Sequence, residues 1–445
     1  MIRKIRNSFT SMLPNYGFSF PTQILGPILL RGGTMVSARL AALVLGAGGS
    51  IWAARCLGPA NLGLSGFILG FGVQIVLALS VMHQTILVRE YKHAADNVAR
   101  DEMLTAATTF FFLSSLLAAA AIVMLLALGL IPQPYAPLCG FLIVLVFSSA
   151  MQPLWVFQAT EKQHFQSAIA IAQPALQGLL YCVLLRPGMG AGMDLAINAA
   201  VTTIIALIYW FTLYRMKIIK GLPLSGANIG KIRRLLCQSR WYFMIAVAVY
   251  IYTMLELPLV GWLRSLPEMG QFRTAFTLTA AAKSLFEIVP TIFYPRFLEW
   301  RREDEELLWR RQLQLTLVLM PLGLLGCVAA LVVTPRIYDL LYGPAFMEAA
   351  VPCVILVCSK FVVVINGIFF WGLATDPAFD RKIASWMVAI AVFSLASNLL
   401  LIPTFGMLGA ASVDLASELA ILIVCWTLAF RRIRCLREGN VAHAL

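Results

Sequence analysis

Seven ionisable side chains lie inside otherwise apolar stretches of this 445-residue chain: Arg39, Glu256, Lys283, Glu287, Lys360, Asp414 and Glu418. Burying such a group in hydrocarbon costs at least about 3 kcal/mol, so each has to neutralise a neighbour or serve a ligand. A buried Arg or Lys can replace the water around an anion through charge-assisted hydrogen bonds. Glu256, Glu287 and Glu418 are candidates to carry a proton. The spacing leaves structural pairing open beside each of these roles. Lys283 stands one helical turn before Glu287, so the two could neutralise each other on one face. Lys360 could lock onto Asp414 or Glu418, and Arg39 lies close enough to the end of its stretch to snorkel. His83, His93, His164 and His443 fall mostly at ends and in loops, and no H-E-x-x-H or comparable metal spacing occurs. The 9 cysteines are scattered without a C-x-x-C pair. No metal or cofactor is expected.

These charges are positioned by a chain whose solvent is the bilayer. Hydrophobic residues make up 60% and charged residues 12%, against about 25% charged in ordinary soluble domains. With about 20 residues needed per crossing, apolar stretches bounded by charge or turn residues fall at 34–54, 62–86, 104–131, 137–158, 165–185, 193–213, 241–263, 272–294, 312–334, 347–371, 383–402 and 407–430. The expected fold is all-α and polytopic, with about twelve transmembrane helices. The basic start Met1-Ile-Arg-Lys-Ile-Arg6 precedes a first helix read as retained. The formal charge of +13 has a topological origin and does not indicate nucleic acid. With the N-terminus inside, outward segments hold only Arg55, Arg186, Arg264, Arg273 and Arg336, so both termini are expected in the cytoplasm. No outward loop is long enough to host a catalytic domain. Glu303-Asp-Glu-Glu306, flanked by arginines, reads as a solvated turn or helix. Phe110, Phe111, Phe112, Trp155, Trp210, Phe369, Phe370 and Trp371 lie near span ends and read as interface anchors.

The two halves of the chain resemble each other. Trp155, Trp210 and Arg215 recur at one constant displacement as Trp371, Trp426 and Arg431, while Gly63 and Arg89 recur at another as Gly270 and Arg296. Gly188-Met-Gly-Ala-Gly-Met-Asp-Leu-Ala196 resembles Gly406-Met-Leu-Gly-Ala-Ala-Ser-Val-Asp-Leu-Ala416. An even number of spans per half makes the repeat parallel, related by an axis along the membrane normal. The expected organisation is an N-terminal lobe at 1–213, a basic cytoplasmic linker at 214–240, a C-terminal lobe at 241–430 and a basic tail at 431–445. The two six-helix lobes would face a central cleft.

Three segments carry a family resemblance. Arg55-Cys-Leu-Gly-Pro-Ala-Asn-Leu-Gly63 resembles R-x-L-G-P-x-x-x-G. Pro153-Leu-Trp-Val-Phe-Gln158 with Glu161 resembles P-x-W-x-x-Q-G-x-E, and Asn398-Leu-Leu-Leu-Ile-Pro-Thr-Phe-Gly406 with Gly409-Ala-Ala resembles N-x-x-L-I-P-x-x-G-x-x-G-A-A. Tyr294-Pro-Arg296 and Leu341-Tyr-Gly343 fall where similar residues are expected. In this order the segments resemble the polysaccharide-transport flippases, Wzx-like translocases of O-antigen and exopolysaccharide units, of the multidrug/oligosaccharidyl-lipid/polysaccharide exporter superfamily. Ala159 and Thr160 depart from the pattern. Twelve spans in place of fourteen argue against a peptidoglycan precursor as substrate.

The resemblance implies a flippase of the cell inner membrane, not an enzyme. Its implied partners are polyprenyl-diphosphate-linked oligosaccharides, membrane lipid and other polysaccharide-assembly proteins. It also implies a cleft lined by helices one, two, seven and eight, which places Arg39, Glu256, Lys283 and Glu287 there. The diphosphate ligands would then be Arg39 and Lys283, with Arg55 and Arg273 at the outer mouth. Ion coupling or structural pairing would fall to Glu256, Glu287, Lys360, Asp414 and Glu418. One alternative is a cation-coupled multidrug exporter, expected to bury a carboxylate in its N-terminal lobe, where only Asp194 at an outer edge is available. A membrane-embedded saccharide polymerase or ligase, or a non-transporting scaffold, would need a loop-borne site or no buried charge at all.

Overall fold

The computed structural model describes residues 22–79, 82, 84–94, 96–129, 131, 135–160, 162–219, 229–286, 297, 300–373 and 380–437. Among them there is no strand. The helices are α1 (Thr22–Leu79), α2 (Gln84–His93), α3 (Asn97–Ala127), α4 (Cys139–Ala150), α5 (Leu154–Ala159), α6 (Gln163–Leu184), α7 (Ala191–Arg215), α8 (Ile229–Thr253), α9 (Glu256–Leu263), α10 (Leu266–Phe286), α11 (Glu305–Ile337), α12 (Ala350–Leu373), α13 (Asp380–Phe405) and α14 (Met407–Arg437).

Nine helices among the described residues are long and apolar enough to cross a membrane, which makes this a polytopic all-α membrane protein. The difference from twelve falls on the first two, the fifth and the eighth expected spans. The first two expected spans run together in α1, whose 58 residues would reach about 87 Å if straight. Gly58 breaks it with φ 70° and ψ 172°, a conformation that favours glycine, and Pro59 follows without a backbone donor. The Gly-Pro of the first motif is therefore the turn between two spans. The fifth expected span is α6, whose apolar part among the described residues is Ile171–Leu184. The eighth begins in α10, and the rest of that expected span lies outside the described residues.

The third motif is also a turn. Gly406 has φ 57° between α13 and α14, and a side chain there would run into the Glu268 carboxylate, which accepts from Met407 N at 2.9 Å. At the start of α11, Asp304 caps the helix by accepting from Glu306 N at 2.9 Å, and Arg310 pairs with Glu306 at 3.0 Å. The acidic run is thus an ordinary N-terminal turn.

Helices α3 and α11 leave rows of large apolar side chains bare, among them Leu113, Leu117, Leu325, Val328 and Leu331. Such faces are stable only against lipid tails. The main core draws Trp155, Phe157 and Tyr209 together with Phe272, Tyr338 and Phe346. Trp155 and Phe369 are buried, with Trp155 edge-on to Tyr91 at 5.8 Å and Phe369 against Trp426 at 5.3 Å. Their reading as interface anchors is corrected: both lie near span ends, but on the inward face of their helices. Trp210 spends its indole N–H on Met151 O at 2.8 Å.

α1 packs extensively on α10. A methyl group on Gly63 would strike the carbonyl oxygen of Leu266, and one on Gly270 would strike that of Pro59. Pro59 and Leu266 each stand four residues before a glycine of the repeat. The contact is therefore reciprocal, the pattern that a two-fold relation between equivalent surfaces produces.

Candidate functional site

Not all of the expected ligands can be followed. Arg39 and Lys283 have helical backbones in α1 and α10, but their side chains lie outside the described residues, as does Glu287 altogether. Arg55 is exposed on α1 and donates from Nη2 to Leu340 O at 2.6 Å. That carbonyl belongs to the π-turn Tyr338–Tyr342, so the bond ties the first half of the chain to the second.

Arg273 does the same from the opposite direction. It leaves α10 over Gly66, where a methyl group would crowd its Cδ. Its Nη1 donates to Leu62 O at 2.9 Å, to Ser65 Oγ at 2.7 Å and to Asp194 Oδ2 at 3.0 Å. Asp194 lies in the first turn of α7, where a carboxylate favours the helix dipole, and it is completely buried. Its other oxygen accepts from Tyr181 OH and from Asn198 Nδ2, the latter at 2.9 Å. Gln177 completes the set, donating to Tyr181 OH at 2.9 Å and to Asn198 Oδ1 at 3.0 Å. Sequence alone puts Asp194 at a span edge and Arg273 among free cations. The fold makes them a buried ion pair in which both oxygens of Asp194 accept hydrogen bonds, built from α1, α6, α7 and α10. One signal was available: the aligned repeat makes Asp194 the counterpart of Asp414.

Asp414 sits in α14 with a different set of neighbours. Lys360 of α12 donates to its Oδ2 at 2.7 Å, with both side chains nearly or wholly buried, so of the two pairings open to Lys360 the fold forms this one. Glu418, one turn on, accepts from Asn366 Nδ2 at 2.7 Å. The Lys360 ammonium also lies 6.0 Å from the Phe276 ring centre, within range of a cation–π attraction. Glu256, the first residue of α9, is completely buried within electrostatic reach of Asp414, Lys360 and Glu418, and neither of its oxygens has a hydrogen-bond partner. Among the described residues no group of three His, Cys, Asp or Glu is placed to hold a metal ion.

At the opposite end of the bundle the halves meet through solvent-exposed pairs. Lys231 of α8 donates to Ala99 O at 3.0 Å and pairs with Glu102 at 3.2 Å, while Arg234 pairs with Glu90 of α2 at 3.5 Å.

A bundle of broken apolar helices with one ion pair buried between its halves and another within the second can be compared with solved membrane proteins. A lipid II flippase MurJ in an inward closed conformation superposes with a TM-score of 0.65 at 11% identity, over 90% of this chain and 92% of that one. An inward-facing multidrug resistance MATE family transporter of the MOP superfamily gives 0.63 at 14% identity, over 91% and 99%. An outward-facing MATE family transporter of the same superfamily gives 0.51 at 12%, over 91% and 94%. The chain shares its fold with these proteins. In sequence it is 19% identical over 82% of its length to a protein named as an O-antigen transporter of Escherichia coli, covering 87% of that protein. It is 23% identical over 42% of its length to the low-salt glycan biosynthesis flippase Agl15 of Haloferax volcanii, spanning 40% of that relative. No family model matches the chain. The likeness to polysaccharide-unit flippases drawn from the motifs is borne out by these relatives.

Proposed function

We propose that this protein is a flippase that carries polyprenyl-diphosphate-linked oligosaccharide units across the cytoplasmic membrane for surface polysaccharide assembly. The observation that carries this reading is the likeness to an O-antigen transporter over 82% of the chain. The reciprocal contact of Gly63 and Gly270 supports two lobes, 1–213 and 241–430, joined by the basic segment 214–240 and followed by the tail 431–445. The basic bias supports cytoplasmic termini, which puts the Asp194 end of the bundle outside.

On this reading the outer side is closed by a buried ion pair and by glycine backbones in contact, while the inner side is held by exposed pairs worth less than about 1 kcal/mol each. The closer overlay on inward states than on an outward one supports the same polarity. The head group enters from the cytoplasm, its diphosphate met by Arg39 and Lys283. The lobes then rock, the Gly63–Gly270 contact parts, and Arg273 becomes free to meet the anion only as it leaves Asp194. The polyprenyl tail stays in lipid, and other polysaccharide-assembly proteins receive the unit outside. A cation-coupled multidrug exporter fits less well, because Asp194, though buried, is already neutralised by Arg273.

Deletion of the gene in its host tests the reading. Lipid-linked units should accumulate on the cytoplasmic face and be cleared by wild type, but not by Lys283→Ala or Arg39→Ala at equal protein levels. Unchanged surface polysaccharide after deletion would sink the assignment.

A further inference from the structure

At the end of the bundle away from Asp194, the ties between the halves have their cations on one side and their acids on the other. The cations belong to α8, whose N-terminal half carries Lys231, Arg233, Arg234 and Arg240 and whose whole length contains no acid. The acids belong to the first half of the chain: Glu102 on α3 pairs with Lys231 at 3.2 Å, and Glu90 on α2 pairs with Arg234 at 3.5 Å. Glu102 is the last charged residue before the apolar run of α3, which holds Lys231 at the level where lipid headgroups meet hydrocarbon. Arg240 lies 5.2 Å from the Trp241 ring centre, an Arg–Trp pair of the kind that settles at the same interface. The side chains of Arg234 and Glu102 are 69% and 54% exposed, so an anion of the headgroup layer reaches them without displacing packed atoms. Parting strands no buried acid either: Glu90 keeps Arg89 at 4.0 Å, and Glu102 is left in water.

We propose that this seam is a binding surface for anionic lipid: headgroup phosphates of the surrounding leaflet compete with Glu102 and Glu90 for Lys231 and Arg234, and their abundance sets how readily the halves part at this end. A phosphate offers the ammonium and the guanidinium the same charge-assisted hydrogen bonds as a carboxylate. The attraction of one Lys or Arg to an anionic membrane surface is of the same size as an exposed ion pair, so lipid composition tips the balance. Because the cations come from one half and the acids from the other, each cation taken by lipid removes a tie between the halves. The Asp194–Arg273 pair, whose carboxylate is completely buried, is out of reach of the same competitor. That this leaflet is the cytoplasmic one rests on the topology proposed above, and its bearing on saccharide movement rests on the flippase reading; the competition itself rests on neither.

A distance across the seam tests this in the full chain. Spin-labelled unnatural amino acids at Val98 of α3 and Ile229 of α8, both exposed, report the separation of the two helices by pulsed electron resonance. In nanodiscs of phosphatidylcholine, whose choline cancels the phosphate charge, the short separation should dominate. In nanodiscs of equal parts phosphatidylcholine and phosphatidylglycerol, the population at longer separation should rise about three- to tenfold. Lys231→Gln combined with Arg234→Gln should raise that population already in phosphatidylcholine and abolish its response to phosphatidylglycerol. Identical distributions for wild type in the two lipids overturn the proposal, and so does a double variant that responds as wild type does, which would put the lipid elsewhere. Soluble pyrophosphate at matched ionic strength should leave the distribution in phosphatidylcholine unchanged; a shift as large as that from phosphatidylglycerol would make the seam a diphosphate site and overturn the lipid. Flipping of a fluorescent polyprenyl-diphosphate saccharide is followed in liposomes of the same compositions. A lipid-dependent distance with no saccharide movement in either composition upholds the seam and sinks the flippase reading.

Discussion

Asp194 and Asp414 occupy equivalent places in the repeat, each followed by Leu-Ala, the first in the first turn of α7 and the second about two turns into α14, yet their partners differ. Asp194 takes its cation from the other half of the chain and has all its acceptors filled. Asp414 takes its cation from within its own half and shares its surroundings with two more acids. The first arrangement suits a joint, because a saturated ion pair resists any change until the halves part. The second gathers three acids around one ammonium among the described residues. The same residue stands in both halves, and its partners differ.

Several substitutions would break or sharpen that contrast. The largest effect is expected from Arg273→Met, which leaves Asp194 buried without its counter-charge and should cost about 3–5 kcal/mol; thermal unfolding in detergent should show it, with much of the loss recovered by adding Asp194→Asn. Lys360→Met should cost somewhat less, about 3 kcal/mol, because its acids can take up protons in compensation, and Asp414→Asn in the same chain should restore most of it. Gly63→Ala is expected to cost about 1–3 kcal/mol through overpacking at the joint, and Gly270→Ala should match it if the contact is as reciprocal as it looks. Glu256→Gln should not lower the unfolding temperature, since an amide brings hydrogen-bond donors to a buried place where neither carboxyl oxygen has a partner. An equal loss in Glu256→Gln and Asp194→Asn would erase the distinction between the two sites. Arg234→Ala, at the exposed end, should shift stability by less than about 1 kcal/mol, and added salt should hide even that.

Much of this architecture was legible in the sequence because the bilayer imposes apolar length and alternation of charge. The Gly58-Pro59 and Gly406 turns could be found as motifs, and the repeat pointed to glycines that do touch. What the sequence left closed is which atoms meet across the bundle. Arg273 looked like a free cation because its partner lies on α7, and the path between them exists only after α10 crosses α1 at Gly66. Lys360 had two carboxylates one turn apart, Asp414 and Glu418, and only the packing of α12 on α14 selects the first. Trp155 and Phe369 have the composition and place of interface anchors, and it is helix rotation that turns them inward.

The glycine contact between α1 and α10 also bears on how such a molecule could arise. Each glycine rests on the residue four positions before its counterpart, so a single stretch of sequence plays both sides of the joint. Two copies of an ancestral half-length chain meeting at that point would have needed one surface to be right, and every improvement would have counted twice. A chain made by fusing two such copies would leave each free to diverge, and the two aspartates differ in that way: Asp194 is held by a cation of the other half, Asp414 by one of its own.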